Sequence, residues 1–145
     1  MIIHDYKIDD CKNCDFSNSK VEDSKFCATT VTSCDMSEMT ISKSNLYSLQ
    51  LENCLIDDGS IRNAGMERAT FDDVSMSSLT MSNGDIIRGQ FDSVDLSGAK
   101  FTGCDLSGAE ISNCRLDNLS IKSSQVSGVT IDGIPLKELL EKYYS

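Results

Sequence analysis

Cysteines and paired acids are the residues here whose types and spacing suggest chemistry. Cys11 and Cys14 stand in the C-x-x-C arrangement used by redox centres and zinc half-sites. The one histidine, His4, is followed by Asp9, and acids pair at Asp57-Asp58 and Asp72-Asp73. Each lead stops short of a site. No second C-x-x-C completes a zinc ligand set, and no nucleophile elbow or phosphate-binding glycine loop accompanies the histidine. Asp57-Asp58 and Asp72-Asp73 read as hydrated surface acids. The sequence therefore predicts no catalytic residue, no metal ligand and no cofactor.

The elements that position these residues come from an internal repeat, which has to be sought before any helix or strand is assigned. Stepping by five from Tyr6 through Cys11, Phe16, Val21 and onward to Leu136 meets 27 apolar residues without a break in phase. Five matches neither the helical period near 3.6 nor the strand period of 2. The column two residues earlier is mostly Cys, Ser, Thr, Ala, Gly and Val, with Met39, Leu49, Leu79, Leu119 and Ile134 at intervals. The other three columns hold few apolar residues: Ile8, Cys27, Ala28, Tyr47, Leu55 and Ile87. A chain that buries two residues in every five must keep turning. Four such units close a square coil of twenty residues, stacking residue n on n+20 at the ordinary strand spacing of about 4.8 Å.

The units Cys14-Asp15-Phe16-Ser17-Asn18, Cys34-Asp35-Met36-Ser37-Glu38, Val94-Asp95-Leu96-Ser97-Gly98 and Cys104-Asp105-Leu106-Ser107-Gly108 carry the pattern most clearly. It resembles that of the pentapeptide-repeat family, with Cys or Val often in place of the usual Ala, over residues 6–136. The resemblance implies an all-β solenoid, a right-handed quadrilateral β-helix of about seven coils, over residues 1–134. Residues 135–145 follow as a short α-helical cap or dimerisation element. Within this register Cys11, Cys14, Cys34, Cys54, Cys104 and Cys114 point inward as structural thiols, and Cys27 alone faces out. His4 and Asp9 also fall in inward columns, which reads as a solvated first coil that blunts the open edge. At the other end Pro135 is expected in the first helical turn, with Leu136, Leu139, Leu140 and Tyr143 at helical spacing. A helix this short must dock, on its own last coil or on a partner.

Charge adds a second layer. The 145 residues carry 13 Lys and Arg against 23 Asp and Glu, a net charge of −10. That disfavours direct binding to nucleic acid or an anionic membrane. No apolar run is long enough to span a bilayer, MIIHDYKIDD lacks the order of a secretory signal, and seven cysteines are odd for a disulfide framework. The expectation is a cytoplasmic protein with reduced thiols. Sorted by side of the coil, the acids gather on two adjacent sides, where fourteen acids meet only Lys12 and Arg115. Glu52, Asp57, Asp58, Asp72, Asp73, Asp92, Asp95, Glu110 and Asp117 form the candidate interaction face. The other two sides carry nine bases and six acids. The functional expectation is a non-catalytic interaction or scaffold module whose partner is a protein with a basic surface. The resemblance offers an alternative: some acidic dimeric members occupy the DNA site of type II topoisomerases such as DNA gyrase. It also suggests a homodimer through the C-terminal helix.

Overall fold

The structure, a computed structural model, describes the backbone of residues 2–4 and the whole of residues 10–145. Each five-residue unit places one large side chain inward, turns a corner two residues later, and returns a small side chain inward on the next residue. Repetition builds four parallel ladders, all advancing by twenty residues from Cys11 onward. One side is a sheet of Ile2–His4, Lys20–Glu22, Thr40–Ser42, Ser60–Arg62, Thr80–Ser82, Lys100–Thr102 and Ser120–Lys122. The opposite side is a sheet of Cys11–Lys12, Thr30–Thr32, Gln50–Glu52, Thr70–Asp72, Gln90–Asp92, Glu110–Ser112 and Thr130–Ile131, closed by Ile134–Pro135. Between them run two ladders of single bridges, Asp15–Asp35–Leu55–Ser75–Asp95–Arg115 and Lys25–Asn45–Gly65–Asp85–Asp105–Gln125. The result is a four-sided β-solenoid of about six turns.

The axis is filled by the column that steps in fives. From Val21 to Ile111 each of its residues is buried. Like stacks on like one turn apart, and the Phe71 and Phe91 rings lie 4.8 Å apart at 16°, an offset-stacking distance. Polar members of the small column are satisfied locally. The Ser24, Ser44 and Ser124 hydroxyls each donate to the carbonyl two residues earlier, at 2.8, 2.9 and 2.9 Å. The Cys34, Cys54 and Cys114 thiols repeat that bond at 3.3, 3.3 and 3.2 Å. Serine and cysteine are therefore equivalent inward residues, which is how the N-terminal half keeps the fold with Ser19, Ser24, Thr29 and Ser44 buried.

Every corner from Asn13 to Gly128, one in each five residues, has positive φ. On the bridge-bearing sides the corner is a hydrogen-bonded turn, as in Ser19 N–H to the Phe16 carbonyl at 3.1 Å and Met39 to Met36 at 3.3 Å. A turn with positive φ at its third residue favours Gly or Asn. Asn, Asp, Ser and Gly indeed hold most corners, and the exceptions are Ala28, Glu38, Lys43, Arg68 and Arg88.

Both ends depart from the sequence reading. At the first strand Ile3 pairs with Val21 and His4 with Glu22. The register there differs from the twenty-residue step, so the His4 backbone is out of the inward phase expected for it. The His4 side chain and Tyr6, Lys7, Ile8 and Asp9, read above from the sequence, lie outside the described residues. At the other end Asp132 and Gly133, with φ of 50° and 79°, form a two-residue hairpin that turns Ile134–Pro135 antiparallel onto Thr130–Ile131. Two consecutive positive φ values match the tight turn that Asp-Gly favours. The Asp132 carboxylate also accepts the Asn113 N–H at 2.9 Å. Because the chain reverses there, Ile134 is 47% exposed rather than inward. Pro135 is the N-cap of the helix Leu136–Tyr143, not a residue of its first turn.

Candidate functional site

Burial holds four of the seven thiols in their protonated form. Cys34, Cys54 and Cys104 are buried, and the Cys14 N–H donates to the Cys34 sulfur at 3.2 Å. Burial pushes the Cys34 thiol up to about 11 and raises Cys54, Cys104 and Cys114 in the same direction. A raised pKa leaves little thiolate, the nucleophilic and metal-binding form. Among the described residues no group of three or more His, Cys, Asp or Glu is arranged to hold a metal ion.

The acidic candidates divide by what their carboxylates already do. Glu52, Asp72 and Asp92 stand in direct register on three successive strands of one sheet, all exposed. Glu110 lies on the other edge of that sheet's face, in register with Gln90. Asp58 and Asp73 occupy left-handed corners at φ 57° and 52°. Among the described residues Glu52, Asp58, Asp72, Asp73 and Glu110 have no side-chain hydrogen bond or ion pair, so their charge faces solvent. Asp92 accepts only from Ser93 Oγ at 3.2 Å and Asn113 Nδ2 at 3.3 Å.

The remaining three have structural duties. Asp57 accepts from Ser75 Oγ, from the Ser77 N–H at 3.0 Å and from Ser77 Oγ at 3.1 Å, tying one coil to the next. Asp95 accepts the Ser97 N–H at 2.9 Å, and hydrogen bonding to Ser97 holds its carboxyl below the ordinary range. Asp117 pairs with Arg115 at 3.1 Å. Spacing alone did not separate these two groups. The Asp-x-Ser signature, in which a carboxylate accepts the N–H two residues on, marks Asp95 as structural.

Of the helix candidates, Leu136 is half-buried against the core, and Leu139, Leu140 and Tyr143 stand in solvent. The Leu136 N–H bonds the Val129 carbonyl at 2.8 Å, yet no helix residue is buried, and Leu139, Leu140 and Tyr143 are 40%, 44% and 80% exposed. In the last coil Leu116, Ile121 and Val126 are only half-buried, whereas Leu96, Phe101 and Leu106 one turn earlier are buried. A groove of about 470 Å³ remains between helix and last coil, lined by Val126, Ser127, Gly128, Lys137, Leu140, Glu141 and Tyr144. The helix is too short to cross a membrane, and no other helix does so among the described residues.

A parallel four-sided solenoid of five-residue units defines the class. The family model for pentapeptide repeats, in eight copies, matches residues 90–129. Residues 90–129 are pentapeptide repeats, and the twenty-residue register they share runs on in both directions. The matched family is a structural repeat and brings no catalytic centre with it. Similar solved structures include a pentapeptide repeat protein of the Arabidopsis thaliana thylakoid lumen, 21% identical over 75% of this chain and 72% of that one, with a TM-score of 0.48. Rfr23 from the cyanobacterium Cyanothece is 10% identical over 90% of each chain, with a TM-score of 0.42. A trypsin-treated form of QnrB1, a plasmid-mediated fluoroquinolone resistance protein, is 13% identical over 97% of each, with a TM-score of 0.41. Among curated proteins, no sequence matches this chain.

Proposed function

We propose that this protein is a non-catalytic interaction module whose acidic side docks a protein with a basic surface in the reducing cytoplasm. One observation carries the reading: Glu52, Asp72 and Asp92 are stacked in register with no compensating cation. Like charges directly opposite one another destabilise a sheet. A surface that only needed solubility would intersperse lysines, as the opposite sheet does with Lys20, Arg62, Lys100 and Lys122. The test is capture of partners from lysate on immobilised protein, with Asp72→Asn/Asp73→Asn/Asp92→Asn as the comparison bait. Bound proteins should be basic, should elute with salt, and should be lost on the triple variant. Equal capture by both baits ends the proposal.

A second reading, DNA mimicry toward a type II topoisomerase, draws on the same ladder. Its charges repeat at about 4.8 Å along the rod, while duplex DNA presents one per about 1.7 Å of axis. A gyrase supercoiling assay decides it: inhibition or protection by the parent and none by the triple variant is the expected result. The exposed Leu139, Leu140 and Tyr143 support a homodimer through the helix. Light scattering should give twice the monomer mass for the parent and the monomer mass for Leu139→Asp/Leu140→Asp, and a monomeric parent refutes the dimer.

A further inference from the structure

The corner that carries Ala28, Ser48, Arg68, Arg88, Gly108 and Gly128 differs from the others. Arg68 and Arg88 occupy left-handed backbone at φ 61° and 59°, where long L side chains are disfavoured. They are adjacent on the ladder, the Arg68 N–H bonding the Ile87 carbonyl and the Arg88 N–H bonding that of Ser107, each at 2.8 Å. Two exposed cations therefore sit one turn apart. The ion pairs among the described residues are Lys20–Glu22, Arg115–Asp117 and Lys137–Glu141, and neither arginine takes part. Glu67, Asp85 and Asp105 on the adjoining side leave both guanidinium groups free. Backbone strain and like-charge stacking at one place signal a role other than stability.

The same corner then becomes bare. The Arg88 stem lies over Gly108, where an added Cβ would come within 3.3 Å of Arg88 Cγ. Gly128 follows and lines the groove under the helix, beside Val126, Leu140, Tyr144 and Lys137. One continuous edge thus presents a largely apolar groove, rimmed by the Lys137–Glu141 ion pair, and then two arginines outside any ion pair. We infer that this edge binds an extended acidic peptide segment of another protein, its apolar side chain in the groove and its carboxylates on Arg88 and Arg68. Gly128 and Arg88 are two coils apart, roughly 10 Å, which an extended peptide spans in about three residues. Arginine takes a carboxylate through two parallel N–H bonds, which suits it to this contact. The site is separate from the acidic face, so either can fail without the other.

The probe is a fluorescein-labelled peptide with one leucine three residues from an Asp/Glu run, read by anisotropy on the full chain. Its Asn/Gln counterpart should bind about tenfold more weakly, and raised salt should close the gap. Arg68→Gly/Arg88→Gly should lower affinity about tenfold, the equivalent of two exposed ion pairs at roughly 0.7 kcal/mol each. Glycine suits positive φ, so that variant should unfold no earlier than the parent, which separates lost binding from lost structure. Leu140→Asp should weaken binding independently. Absence of probe binding, equal binding of the amide peptide, or full affinity in the double variant overturns the inference. So does loss of self-association in the double variant, which would make the occupant the acidic side of a second copy.

Discussion

Replacing Ala28 with glycine isolates what a left-handed corner costs this fold. Ala28 has φ of 54°, is exposed, and contributes only a methyl group. Its N–H bond to the Tyr47 carbonyl, at 2.8 Å, survives the change. An L residue in this region costs about 1–2 kcal/mol. Glycine removes that strain but returns roughly 0.4–1 kcal/mol through the greater freedom of its unfolded chain. The balance favours Ala28→Gly by about 0.7 kcal/mol. Urea unfolding followed by circular dichroism should place its midpoint about 0.3–0.5 M higher, for slopes typical of small domains. Ala64→Gly is the matched control. Its methyl is buried and its φ is not positive, so the midpoint should fall. If both variants lose stability alike, corner strain is not what selects Asn, Asp, Ser and Gly at every fifth residue.

Three further outcomes follow from the core and its hydrogen bonds. Phe91→Ala should cost about 3–5 kcal/mol, and a double-mutant cycle with Phe71 should show a coupling near 1 kcal/mol from the stacked rings. Stability should fall at high pH: the folded thiols of Cys34, Cys54, Cys104 and Cys114 titrate above the unfolded value of 9.0, so their contribution is intact below it and lost as pH climbs toward about 11. Cys34→Ser should shallow that alkaline limb in a urea-midpoint-versus-pH series. At low pH, hydrogen bonds from Ser17 hold Asp15 below 3.8, so its contribution is present above that value and lost as pH falls through its folded pKa; Ser17→Ala, which removes the hydroxyl bond, should flatten the acid limb.

Much of this molecule could be read from one column of residues, because burial in a solenoid repeats the same decision at every turn. Leu96, Phe101, Leu106 and Ile111 are inward in the structure because nothing local competes with the period. The ends escaped for the same reason. Ile134 and Leu136 continue the apolar phase by type, but Asp132-Gly133 is a hairpin signal that overrides it. Ile3 takes the slot opposite Val21 where the phase would place Met1. The acidic face was legible as a count, and its division was not. Whether Asp57 is free depends on Ser75 and Ser77 one turn away, and that is a contact between coils rather than a local pattern. The unusual status of Arg68 and Arg88 could not be seen without φ.

That contrast locates where selection for function can act. Two columns of every five carry the core and a third carries the corners, so the remaining positions are the least constrained by the fold, apart from turn- and coil-bridging acids such as Asp57 and Asp95. Departures at the corners are informative because each one gives up stability. Glu38 and Lys43 do so singly, and Ala28 loses only a methyl's worth of comfort. Arg68 and Arg88 do so together, on consecutive turns, with like charge and beside a groove. A purely solubilising surface has no use for that arrangement, since lysine or serine at an outward, right-handed position would serve at lower cost. The acidic ladder of Glu52, Asp72 and Asp92 and the Arg68–Arg88 corner thus stand at different sides of the same solenoid.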